Sequence, residues 1–329
     1  MFLQSIALSD VFHVEIPKLP MGKYAHILVL RETSSFALFQ TDGELNLSRV
    51  SLGREMPNQK ATARIVLFKR KQSTPERLTG RELLRRYGLV EACEYNSDKF
   101  CKKCPDCIYY GFAIGDKGSE RSKVLVDSAF SVTGYDTSHQ QFTFNAPYEN
   151  GTMSEAGQMK TSLGEQDYVL PQVYFPSVVT IKDPTEAEFI YVLNNVLRTR
   201  RYGAQNTRTG TVQNIVTAIV FADGEIFSNL QLCQAVYDAL SPEQRAKMPL
   251  QRSDVYAAMA SVVPSLLQED GVVAHTFTGE VLERILNEVL HITSDERQLR
   301  TVLAQANAEA QRYAETYGVY SKQAKSAKK

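Results

Sequence analysis

Net charge is the first thing the chain lacks: 37 Lys and Arg stand against 37 Asp and Glu in 329 residues. That balance excludes a uniformly basic coat, so any phosphate-binding surface has to gather its cations locally. Long apolar runs are also missing. The longest, such as Ile27 to Leu30 and Ile215 to Ala222, are strand-sized or interrupted by polar residues, so no membrane-spanning helix is expected. Met1 to Glu15 has no early positive charge and carries Asp10 and Glu15, so it does not read as a secretory signal. Histidine is sparse, at positions 13, 26, 139, 275 and 291 in unrelated contexts. No H-E-x-x-H, G-x-S-x-G, P-loop or kinase pattern occurs, which leaves no catalytic constellation. Gly115-x-x-Gly118-Ser119 has no phosphate-loop lysine in register and precedes a strand, so it reads as a tight turn. Asp42, Asp116, Asp127 and Asp136 are isolated acids that suit turns, caps or surface. Cysteine is scarce too, with four of the five clustered. That suits a metal site in a reducing compartment better than a disulfide framework, and a cytoplasmic protein is expected.

What is present supports a sizeable core, since 43% of residues are apolar and 22% charged. The length fits one large domain with insertions or two ordinary ones. His26 to Leu30 and Phe36 to Gln40 read as a strand pair around residues 32–35, and Ala63 to Lys71 as a third strand. Thr79 with Glu82 predicts a capping box and a short helix ending near Gly88. Lys123 to Thr133 reads as a strand, and the polar stretch from Gly134 to Tyr168 as an extended insertion or long hairpin. Tyr174 to Ile181 is another strand. Asp183-Pro184-Thr185-Glu186 predicts a helix start with Asp183 as cap, followed by the strand Val212 to Phe221. From Ser228 to about Tyr320 the pattern is helical throughout. Together the order is compatible with an α+β fold, an RRM or ferredoxin-like core with long insertions.

The sharpest local signal is Cys93-x7-Cys101-x2-Cys104-x2-Cys107. Four thiolates that close together can complete a tetrahedral shell around structural zinc. Lys99, Lys102 and Lys103 between them would offset thiolate charge. Three cysteines completed by His139 is the main variant, and Cys233 lies on an apolar helical face as core. The second signal is segregated charge. Arg49 to Arg86 contains eleven Lys and Arg against Glu55, Glu76 and Glu82. Arg198 to Arg208 holds four arginines, no acid, and Tyr202 beside Gly203. An arginine-rich, glycine-containing turn can wrap a phosphate backbone, while Tyr202 or an arginine plane stacks on unpaired bases.

Cys101-x2-Cys104-x2-Cys107, then Tyr110-Gly111, Gly118-Ser119 and the strand Lys123 to Ala129, resembles the central segment of CRISPR RAMP proteins. Arg200-Arg201-Tyr202-Gly203-Ala204-Gln205-x-Thr207-Arg208-Thr209-Gly210 is similar to their glycine- and arginine-rich stretch. The order of elements over roughly 5–315 most nearly resembles the Cascade backbone subunit of type I-D systems. The resemblance implies an RRM-like palm over residues 1–228, with a zinc knuckle at about 90–120 and a thumb-like hairpin at about 134–172. A helical region, 229–320, would pack on the palm, and 321–329 would be a disordered basic tail.

The implied function is non-catalytic: copies polymerise along one guide RNA, thumbs kink it, and the free bases pair with target DNA. The implied partners are guide RNA, further copies of the chain and other Cascade subunits (a guide-end cap, a large subunit and a guide-processing endonuclease), with target DNA reached through the guide and no membrane. The guide path would use Arg49, Arg54, Lys60, Arg64, Lys69, Arg198, Arg200, Arg201, Tyr202 and Arg208, with Cys93, Cys101, Cys104 and Cys107 on zinc. Two alternatives stay open: a metal-dependent RNA-cleaving subunit using Asp42, and a zinc-knuckle scaffold with no nucleic-acid role.

Overall fold

The computed structural model describes residues 2–6, 10–41, 44–54, 61–144, 164–203 and 205–318, with four short strand pieces between 147 and 159. Its centre is an antiparallel sheet of β1 (Tyr24–Thr33), β4 (Val124–Val126), β8 (Tyr174–Lys182), β9 (Val212–Ala222) and β10 (Ala274–Phe277), in the order β10-β9-β1-β8-β4. The helices α1 (Lys69–Arg86) and α3 (Glu186–Arg198) connect β1 to β4 and β8 to β9. The central chain order is therefore β-α-β-β-α-β, and each neighbouring strand pair is antiparallel. β1 runs through the middle, and every residue after Tyr24 in it is buried. Its period-2 alternation sends Ala25, Ile27 and Val29 to one face and Leu28 and Leu30 to the other.

Both faces are covered by helices. Ala25, Ile27 and Val29 meet Leu83 and Leu84 of α1 and Phe189, Ile190 and Leu193 of α3. Behind those lie α6 (Gly279–Ser294) and α7 (Glu296–Thr316), through Ile285, Val289, Val302 and Leu303. Leu28 and Leu30 meet Leu232 and Val236 of α4 (Asn229–Ala239), and Val255 and Met259 of α5 (Arg252–Asp270). At one end of the sheet a smaller one forms from β2 (Leu47–Val50), β3 (Thr62–Leu67) and β5 (Ala129–Phe130). Beside it, β6 (His139–Phe144) pairs with β7 (Gly164–Val169) as the stem of a hairpin.

Several expectations are corrected. Residues 36–40 do not pair with β1; Ala37 bridges to Val169 of β7 instead. The predicted strand through Lys71 stops at Leu67, and α1 begins at Lys69. Thr79 is therefore inside the helix, where its hydroxyl donates to the Pro75 carbonyl at 3.0 Å. Lys123 to Thr133 splits into β4 and β5, which belong to different sheets. Thr185, not Asp183, caps α3, accepting from the Glu188 amide at 3.2 Å. The helical region from 228 is interrupted by β10, which extends the central sheet beyond β9.

Candidate nucleic-acid interface and metal centre

Helix α1 hands the chain to a compact knuckle. Cys93 and Cys101 lie in loops, Cys104 precedes α2 (Pro105–Tyr109), and Cys107 sits within it. Their four sulfurs all lie within 4.8 Å of one another. Cys93 Sγ is 3.9 Å from Cys104 Sγ and 3.6 Å from Cys107 Sγ, and Cys101 Sγ is 3.9 Å from Cys107 Sγ. A tetrahedron with zinc–sulfur bonds of about 2.3 Å has sulfur–sulfur edges of about 3.8 Å, so the donor set fits that ion. His139 is elsewhere: its Nδ1 lies 2.8 Å from Asp167 Oδ1 on the hairpin stem.

The knuckle is tied to α1. The Arg81 guanidinium donates to Cys93 Sγ at 3.2 Å, as does the Cys101 amide at 3.2 Å. Hydrogen bonds from the neighbouring thiols hold Cys93 far below the ordinary thiol range and lower Cys101 to about 7. The same shared protons push Cys104 and Cys107 up. Fully buried Asp106 accepts two bonds from Arg77, at 2.8 and 2.9 Å, and another from Arg81. The cation beside the sulfur is thus an arginine of the preceding helix. Lys99 instead pairs with Glu94 at 3.1 Å, and Lys102 donates to the Lys117 carbonyl at 2.8 Å.

The basic segments divide sharply. Arg49 on β2 and Lys69 at the start of α1 are exposed. Arg54 is exposed but forked onto Glu269 at 3.1 and 2.5 Å, fastening its segment to α5. Lys60 and Asp42 lie outside the described residues. Arg64 is a correction. It is fully buried and donates to the carbonyls of Ser131 and, at 2.5 Å, Leu52, and to Cys233 Sγ at 2.8 Å. Its charge is consumed inside the fold and does not reach solvent.

Tyr202 is the second correction. Expected as a stacking surface, it is fully buried. Its hydroxyl accepts from Arg31 Nη1 and Asn214 Nδ2, each at 2.7 Å, and donates to Glu76 Oε1 at 3.0 Å. Arg31 and Glu76 are themselves a buried ion pair at 2.8 Å, and the guanidinium lies 4.8 Å from the Tyr202 ring centre. This network was not read from the sequence. A single arginine ending the apolar run of β1 was the signal that could have found it. Tyr202 anchors the arginine-rich loop to the core, while Arg198, Arg200, Arg201 and Arg208 on that loop stay exposed.

Two glycines seat the loop against residues 35–39. The Gly203 backbone has φ of +101°, and a Cβ there would overlap the Leu38 carbonyl. Gly210 donates to the Phe36 carbonyl at 2.7 Å, the same oxygen a Cβ would strike. Arg201 braces the turn by donating to the Thr209 carbonyl at 2.6 Å, and Arg198 reaches the Thr293 carbonyl at 2.5 Å. Arg200 makes no side-chain hydrogen bond or ion pair among the described residues. The Gly203 amide approaches the Lys71 carbonyl at 3.4 Å, which sets the loop beside the first turn of α1 and its Lys69-Arg70-Lys71. Positive charge, balanced by acids over the whole chain, is therefore gathered at this end of the sheet.

Several solved structures similar to this one come from CRISPR systems. A crystal structure of Thermofilum pendens Csc2 is 14% identical with a TM-score of 0.59, covering 96% of this chain and 98% of that one. A chain of a CRISPR RNA-guided surveillance complex is 11% identical with a TM-score of 0.47, covering 78% and 89%. A pre-nicking form of such a complex gives 10% and 0.49, covering 78% and 92%. No curated protein matches the chain. The family model described as Csc2 Crispr matches residues 11–303, nearly the whole sequence. The chain belongs to the Csc2 CRISPR family.

Proposed function

We propose that this chain is a non-catalytic backbone subunit of a CRISPR interference complex, binding guide RNA and repeating along it. The observation that carries the reading is the arginine loop, 198–208, locked to the core through Tyr202 with its arginines left at the surface. A loop held rigidly in place meets a flexible phosphate backbone at a lower ordering cost than a mobile one. The β-α-β-β-α-β order of the central sheet supports an RRM-like palm, and the β6–β7 stem supports a thumb. The sequence pattern favours a type I-D subunit. The four convergent cysteines suit structural zinc, which would brace α1 from the knuckle side and offer no open coordination position for chemistry. Target DNA is reached through the guide, and other subunits of the complex bind its ends.

Length-dependent RNA binding that weakens with salt is the expected outcome, because several phosphates are neutralised per copy. Replacing Arg200, Arg201 and Arg208 together with Ala should weaken affinity for all sequences alike and reduce the salt slope by about one for each phosphate no longer held. Filter binding at several salt concentrations measures both. A wild-type chain that retains RNA no better than an unrelated neutral protein would end the proposal.

A further inference from the structure

The stem of the hairpin has two chemically opposite faces. Strand alternation places His139 and Gln141 of β6 with Glu165 and Asp167 of β7 on one side. That side is acidic and polar. Tyr135 donates to Asp167 at 2.7 Å, and Glu44, Glu165 and Asp167 border one cleft. The opposite side carries Phe142 and Tyr168, and Phe36 meets both, with ring centres 5.0 and 6.5 Å away. The Phe142 and Tyr168 rings are 5.7 Å apart. None of the three belongs to a buried hydrophobic cluster of the fold, and Phe36 is 39% exposed. Its neighbours Ala37, Leu38 and Phe39 are all buried, so the ring alone turns outward from this segment. The Phe36 carbonyl is also the seat of the arginine loop, through Gly210.

We propose that Phe36, backed by Phe142 and Tyr168, is a stacking site for an unpaired base of single-stranded RNA. The flanking phosphates would be held by Arg200, Arg201 and Arg208. Every base has a π-face, so such a site grips RNA without reading its sequence. Carboxylates on the far side of the stem repel phosphate, so the strand is confined to the aromatic side. The inference rests on the proposed RNA binding and adds where a base is held and on which face of the hairpin.

The test uses the purified full chain and single-stranded RNAs carrying 2-aminopurine at one position each. Wild-type protein should quench the fluorophore at a subset of positions. Phe36→Leu, which keeps an apolar side chain against Phe142 and Tyr168, should restore emission there and weaken binding about tenfold. Its salt dependence should be unchanged, because the same phosphates stay neutralised. Phe36→Tyr should behave as wild type. Unchanged quenching and affinity in Phe36→Leu would overturn the stacking site alone. So would a Phe36→Tyr chain that behaves like Phe36→Leu, since the ring would then not be what matters. A wild-type chain that binds none of the RNAs would instead defeat the broader function.

Discussion

Arg64 and Tyr202 have the side chains that grip RNA, and the fold uses both internally. The partners of Arg64 are Leu52, Ser131 and Cys233, and those of Tyr202 are Arg31, Glu76 and Asn214. Such partners are remote in sequence, so local composition could not tell these residues from Arg200 or Arg208. Two other buried groups contribute opposing responses to pH. Burial pushes the Glu188 carboxyl from the ordinary 4.5 to about 7, with the Lys123 ammonium 3.7 Å away opposing it. Burial lowers His26 from 6.5 to about 4, although the Gly224 carbonyl works against this. Glu188 thus contributes stability below pH 4.5 that is lost as pH rises through 7, while His26 contributes above 6.5 and loses it as pH falls through 4. Between pH 4.5 and 6.5 the two slopes oppose and mask each other. Glu188→Gln should therefore gain stability relative to wild type from pH 5 to pH 7, by up to about 1.4 kcal/mol per pH unit. Urea denaturation at both values reads this, and parallel wild-type and variant profiles would refute the assignment.

At the level of elements, local signals were right where the reason for an element is local. The cysteine spacing marked the knuckle because Cys104 caps a single turn of helix and Cys107 lies within that turn. The capping pattern at Thr79 misled because the same spacing arises inside a helix, where the threonine hydroxyl bonds back to Pro75. The strand Ala274–Phe277 was hidden between two long helices because only four residues carry it and its partner β9 supplies the pairing. The arginine loop shows how two small residues position an element. Gly203→Ala forces either the +101° backbone or the Leu38 carbonyl to move, at about 1–3 kcal/mol. Equilibrium unfolding should detect that loss, together with weaker RNA binding, because the seat of the loop is disturbed. A Gly203→Ala chain as stable as wild type would mean that the loop does not depend on this close approach.

For the molecule as a whole, the chain order of most central strands and helices was legible, but which strands pair and what covers the sheet were not. Nothing in the apolar stripe of α4 says which face of the sheet it will occupy. The knuckle joins the whole through Asp106, Arg77 and Arg81, so metal binding should be felt beyond the four cysteines. Metal analysis should return about one zinc per chain. Chelation should lower the melting temperature, and Cys104→Ser should melt like the chelated chain. A chelated protein that melts unchanged would exclude a structural role. Helices on both faces of the central sheet have a consequence for redesign. Most of both faces is taken up by helix packing, so recognition falls chiefly to loops and hairpins at the sheet's end, where insertions are tolerated best. Replacing residues 205–208 with a different segment, while keeping Tyr202, Gly203 and Gly210 as the anchors of the loop, should therefore change what the chain grips while the scaffold folds as before.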